Sequence, residues 1–253
     1  AEALLDLGMV SERRAEFDKA LRYYDDANTI ALTLFDKAIE ARAALNQANT
    51  HWLTGNYLEC LQRQKHAAET AEAANQPLMQ LAAYNTAGLL RWTLNEFDRA
   101  LREFDSALEL SVRLGIRSEE ASTRNNQGLV WRSRAEYPKA LEHFREALQI
   151  DRDSGNRWGQ AYDYRNIGMT HLMAGDAPQA ADYLRQAVRL SAELGEITNY
   201  AKAVLSLGDA ERTLGFADSA RTNYDEALKA ARERRLPEVE WRALQGLATL
   251  EQE

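Results

Sequence analysis

In several columns every fortieth residue of this chain falls in one size class, and the register runs along all 253 residues without an insertion. One column reads Gly8, Ala48, Gly88, Gly128, Gly168, Gly208, Ala248. A second reads Phe17, Tyr57, Phe97, Tyr137, then Ala177 and Ala217, and a third is Ala27, Ala67, Ala107, Ala147, Ala187, Ala227. A fourth places Cys60 where the other rows have Ala20, Ala100, Ala140, Ala180 and Ala220. A fifth holds the large side chains Tyr24, Phe104, Phe144, Leu184 and Tyr224, with Gln64 as the exception. A fixed period of this length is the signature of stacked supersecondary units, each of which buries its apolar face only against its neighbours.

The residues between these columns decide which unit repeats. Ala, Leu, Arg, Glu and Gln dominate, all strong helix formers, and the period-2 alternation that a strand requires is absent from the sequence. Small residues in one column and large ones in another suit closely packed helix pairs, in which a missing side chain admits the neighbouring helix and a ring plugs the adjoining gap. Thr54-Gly55-Asn56, Ala174-Gly175-Asp176 and Leu214-Gly215 mark a bend inside a row, and Gly115, Gly155 and Gly195 mark one between rows. Pro138 and Pro178 follow the inner bend, where a first-turn proline is tolerated. The chain therefore reads as all-α, with six antiparallel pairs of helices of roughly 16 residues. The expected repeats are 1–37, 38–77, 78–117, 118–157, 158–197 and 198–237, with a terminal helix over 238–253, in a single array. Because the sequence opens and closes inside this pattern, it is read as a piece of a longer protein.

These columns resemble the tetratricopeptide repeat family, and the third row shows it best through Tyr84, Ala87-Gly88, Ala100, Phe104 and Ala107. The fourth row adds Trp131 at the family's buried aromatic position, which assigns it to packing. Two features depart from the family pattern: the period is 40 instead of about 34, and the proline near the end of the second helix is missing. The likeness is to the 40-residue subtype found in cell-polarity adaptors and bacterial signalling proteins. It implies a right-handed superhelical solenoid, first helices lining the concave side and second helices the convex side.

Several functions are disfavoured. A net charge of −8 opposes nucleic-acid binding and anionic membranes alike, since both draw on basic surface. No apolar run approaches the ~18 residues of a membrane span. The sequence contains no nucleophile elbow, phosphate loop, H-E-x-x-H or C-x-x-C, so no catalytic role and no cofactor are expected. Of the four histidines only His51 and His171 share a column, three rows apart, which suits helix packing better than a metal site. The single cysteine, Cys60, is read as a small buried residue, and its solitude points to a cytoplasmic setting.

The remaining signal lies on the first helix of each row, where spacings of 3 and 4 bring four columns to one face. They hold Asn46, Asn85, Asn125, Asn126, Arg165 and Asn166, with Trp52, Trp92, Leu89, Leu129, Met169 and Arg132 beside them. Asn is a poor helix former, so its concentration there calls for another reason. Amides carrying a donor and an acceptor can pair with an extended peptide backbone, the apolar residues can seat anchors, and Arg132 and Arg165 can hold a carboxylate. The competing reading has Asn85 and Asn125 bonding neighbouring helices and the two Trp filling gaps. The expectation is a protein-interaction scaffold for a peptide or partner protein bearing apolar anchors and an acidic group. The alternative is a regulatory or sensor segment of a larger signalling enzyme: a protease, ATPase or transcription activator. Trp241, Leu244, Leu247 and Leu250 allow the terminal helix either to cap the array as a monomer or to form a weak dimer.

Overall fold

The structure, a computed structural model, describes residues 1–252. It contains thirteen helices and, among the described residues, no strand. In chain order they are α1 (Glu2–Arg13), α2 (Phe17–Leu34), α3 (Lys37–Leu53), α4 (Tyr57–Ala73), α5 (Pro77–Thr93), α6 (Phe97–Leu114) and α7 (Arg117–Ser133). There follow α8 (Tyr137–Asp153), α9 (Arg157–Met173), α10 (Ala177–Leu194), α11 (Ile197–Thr213), α12 (Ala217–Arg234) and α13 (Pro237–Leu250). The pairs follow the 40-residue rows, each helix from α2 to α12 being 17 or 18 residues long. The end of the expected terminal helix, residue 253, lies outside the described residues.

Local chemistry sets the ends. The Asp36 carboxylate accepts from the amides of Ala38 and Ile39 at the start of α3, and Asn156 and Asp176 cap α9 and α10 in the same way. Pro77, Pro138, Pro178 and Pro237 all stand in first turns. The left-handed residue that ends α6 is Gly115, at φ +67°, but the same conformation ends α2 at Phe35 (φ +56°) and α12 at Arg235 (φ +54°). There the fold accepts the cost of a Cβ in the left-handed region.

The helices divide into two compact units, residues 1–116 and 117–253. In each, a first helix packs on its own second helix through the glycine and large-residue columns: Gly88 lies against the ring of Phe104, Gly128 against Phe144, and Gly208 against Tyr224. Those rings are fully buried. Within each unit the first helices also touch one another directly, α1–α3–α5 in unit 1 and α7–α9–α11–α13 in unit 2. Among the described residues the second helices touch first helices only. Within each unit the first helices thus form one layer, and the open face of that layer holds the candidate residues.

Helix α13 docks on α11 and α12 through Val239, Ala243, Gly246, Leu247 and Leu250, with Gly246 against the Tyr224 ring. Its other face leaves Trp241, 63% exposed, and Leu244 in the open. Cys60 is buried, and burial pushes its thiol up to about 11. His171 is buried too, stacked on Tyr183 at 5.6 Å and 3.2 Å from the Asp176 carboxylate.

Candidate functional site: the first-helix faces

In unit 1, Trp52 and Leu89 line an open cavity of about 360 Å³ together with Glu12, Asn49, Leu53 and Thr86. The inner edge of Trp52 rests on Ala48, Cys60 and Leu90, which fixes the ring in place and leaves its other edge to the cavity. Asn46 is half-buried one turn below. Asn85 and Trp92 are half-buried, and each is engaged by a neighbour within the chain.

In unit 2 the amides serve a different purpose from the one expected. Asn125 on α7 donates through Nδ2 to Oδ1 of Asp163 on α9 and accepts through Oδ1 from Nδ2 of Asn166 at 2.9 Å. Asn166 in turn accepts from Nη2 of Arg165 at 3.4 Å. Arg165 Nη1 donates to Oδ1 of Asn199 on α11 at 2.7 Å, and Asn199 Nδ2 donates to the Ser191 hydroxyl on α10 at 2.8 Å. A continuous side-chain relay therefore crosses three successive first helices. Asn166 is only 3% exposed and lies inside the unit, which corrects its assignment to a ligand-facing ladder: its amide is consumed by Asn125 and Arg165. For Asn125 the interhelix reading holds, since both its amide atoms are in use.

The relay starts from a buried carboxyl pair. Asp163 is 1% and Asp151 3% exposed, and burial raises both, with the neighbouring Asp151 pushing Asp163 further, to about 8. Asn156 Nδ2 donates to Asp151 Oδ1 at 2.9 Å, and Gly159 leaves the space that the Asp151 carboxyl occupies. Both acids were legible as oddities, because Asp151 stands in the column of Ala31, Ala71, Ser111, Ser191 and Ala231. Asp163 stands among Ala43, Ala83, Thr123 and Ala203.

The side chains that remain on the open face of unit 2 are Asn126, Leu129, Arg132, Met169 and the free edge of Arg165, all half-buried. Leu129 and Met169 each set one side against the core beneath. Arg132 lies over the Phe144 ring at 5.7 Å and Arg165 over Tyr162 at 5.3 Å. Neither has a carboxylate partner among the described residues, and Arg132 Nη1 and Arg165 Nε lack hydrogen-bond partners. Burial, then the charge of Arg165, pulls Arg132 down to about 10; burial lowers Arg165 as well. Two desolvated guanidinium groups thus repel each other without a counter-charge, an arrangement that an anion relieves.

No group of three His, Cys, Asp or Glu side chains among the described residues is placed to hold a metal ion, and none of the described helices is long and apolar enough to cross a membrane.

Comparison with known proteins places this geometry. Over its length the chain superposes on the STAND signal-transduction ATPase PH0952 of Pyrococcus horikoshii, which carries a tetratricopeptide repeat sensor (TM-score 0.84, 16% identity, 98% of this chain and 38% of that one). It is also similar to the apo form of the quorum sensor NprR from B. thuringiensis (TM-score 0.74, 15% identity, 96% and 68%). A third likeness is to a Rap protein complexed with competence and sporulation factor (TM-score 0.65, 14% identity, 98% and 74%). The chain spans well under half of the ATPase that it matches. No curated protein matches it in sequence. Residues 119–193 match the tetratricopeptide repeat family model, and the same helix-pair period runs on either side of them.

Proposed function

We propose that this is a non-catalytic, cytoplasmic protein-interaction module that holds a peptide or partner protein on its first-helix faces. The observation that carries the reading is the pair Arg132 and Arg165, two half-buried, partly desolvated cations without a counter-charge that together fit an acidic group of the ligand. Leu129 and Met169 flank the pair with apolar surface, and Asn126 adds an amide. Unit 1 offers a separate anchor pocket at Trp52 and Leu89, with Asn46, Asn85 and Trp92 nearby on the same helices. The similar Rap structure, solved with competence and sporulation factor, supports a binding role for the fold.

The test is affinity capture from lysate of the source cells, with the chain beside Arg132→Gln. Hydrogen bonds to a charged group contribute about 1.5–3 kcal/mol, so partners held by the acidic contact should bind roughly ten- to a hundred-fold more weakly to the variant. Its thermal melting should stay the same or rise. Identical capture by both proteins would remove the guanidinium pair from the site. A second reading, a sensor segment of a larger signalling enzyme, is favoured by the likeness to the repeat sensor of the STAND ATPase. A catalytic or ATPase domain encoded in the same reading frame would support it; a coding sequence made of repeats alone would refute it.

A further inference from the structure

One column of the first helices changes sign along the chain: it reads Glu12, Trp52, Trp92 and Arg132. The arginine of unit 2 lacks a counter-charge, and so does the acid of unit 1. Glu12 is half-buried, and its Oε2 accepts from the Thr50 hydroxyl at 2.7 Å. Thr50 is itself fully buried on α3, so the carboxylate is held in place between α1 and α3. Among the described residues Glu12 makes no ion pair, and its Oε1 accepts no hydrogen bond. This carboxylate forms one wall of the open cavity of about 360 Å³ between α1, α3 and α5. The remaining lining is uncharged, with Trp52, Leu53 and Leu89 as its apolar part and Asn49 and Thr86 as its polar part. Leu53 and Asn49 are exposed, so the cavity is reached from solvent.

We propose that this cavity seats a basic side chain of the bound peptide or protein, a Lys or Arg whose stem lies along Trp52 and Leu89 and whose charged head pairs with Glu12. The inference rests on the reading of the unit 1 pocket as a ligand anchor and adds the charge of what enters it. A fixed carboxylate beside apolar walls matches a side chain that carries a cation on a methylene stem. A hydrogen bond from such a cation to a carboxylate is about twice as strong as a neutral one, and an indole attracts cations as well. An acidic residue is excluded by Glu12 itself, and a purely apolar one leaves the half-desolvated carboxylate unpaired. The units thus differ in preference: the first-helix face of unit 1 selects a cation, that of unit 2 an anion.

The probes are acetyl-arginine amide, its neutral isostere acetyl-citrulline amide and the apolar acetyl-norleucine amide, each titrated into the whole chain and followed by chemical shifts. Arginine amide should shift the Trp52 indole and the backbone amides around the cavity on α1, α3 and α5, and citrulline amide should bind at least about ten-fold more weakly. Glu12→Gln keeps the length of the side chain and an oxygen for Thr50 while removing the charge; it should weaken arginine amide about ten-fold. If that variant misfolds, Asn49→Glu places a second carboxylate on the exposed wall and should tighten arginine amide about two- to five-fold. Equal binding of citrulline amide, undiminished binding by Glu12→Gln or no gain in Asn49→Glu would overturn the proposal. Norleucine amide shifting these resonances while arginine amide does not would also overturn it and leave an apolar anchor, whereas silence from all three probes would remove the pocket from the peptide-binding reading too.

Discussion

Replacing Gly128 by Ala sets two effects of opposite sign against each other. A Cβ on Gly128 would stand 2.6 Å from Cε1, 2.7 Å from Cδ1 and 2.9 Å from Cζ of Phe144. Carbon atoms in contact prefer about 3.5–4.0 Å, so the methyl overlaps one edge of the ring by nearly 1 Å at three atoms. The ring has nowhere to retreat, being fully buried among Ala140, Leu141, Leu148 and Ile167. Overpacking of this kind costs about 1–3 kcal/mol. Against it, Ala is a better helix former than Gly by about 1 kcal/mol in a helix interior. The net expectation is a loss of up to about 2 kcal/mol for Gly128→Ala, and more for Gly128→Leu, which adds three further carbons to the same space. The chain holds a natural control in Ala48, the one interior member of the glycine column with a methyl, which stands in the row whose large residue is the flexible Gln64 instead of a ring. Urea denaturation of the three proteins reads the outcome. A midpoint for Gly128→Ala equal to or above that of the parent would mean that propensity alone governs the site and that the ring and glycine columns do not interlock.

Further expectations follow from the buried groups. Asp163 binds its proton more tightly folded than unfolded, about 8 against the ordinary carboxylate value near 3.9, so the native state holds more protons between these limits. Its contribution is present at the acid end and fades as pH rises from about 4 to about 8; Asp163→Asn should flatten that part of the curve, and an unchanged slope in urea melts across the range would refute it. Cys60, with its thiol at about 11, has about one molecule in a thousand or fewer ionised near neutral pH. Native protein should therefore resist iodoacetamide until it is unfolded in urea, and rapid native labelling by mass spectrometry would contradict the burial.

Helix pairs, turns and core columns were legible because each follows from a pattern that recurs six times, and a repeated constraint averages out the accidents of any single row. The site was less so. Asn125, Asn166 and Arg165 were found by their columns, but a column does not say whether an amide faces a ligand or the next helix. That depends on what stands one and two helices away: Asp163 and Asn199 receive these side chains, and only Asp163 departs from a uniform column.

The inner layer of unit 2 also has a mechanical meaning. Its first helices touch directly and are stitched together by the relay from Asp163 through Asn125, Asn166 and Arg165 to Asn199, whereas the second helices do not touch each other. Bending such a stack costs little if the outer helices fan apart, and much if the stitched layer stretches. Bending is therefore expected to follow a bow with an inextensible string, the string being the layer that carries Arg132 and Arg165. On the proposed reading a ligand meets side chains on this stitched layer, so bending of the unit is expected to leave their spacing unchanged, as the graduations of a ruler keep theirs.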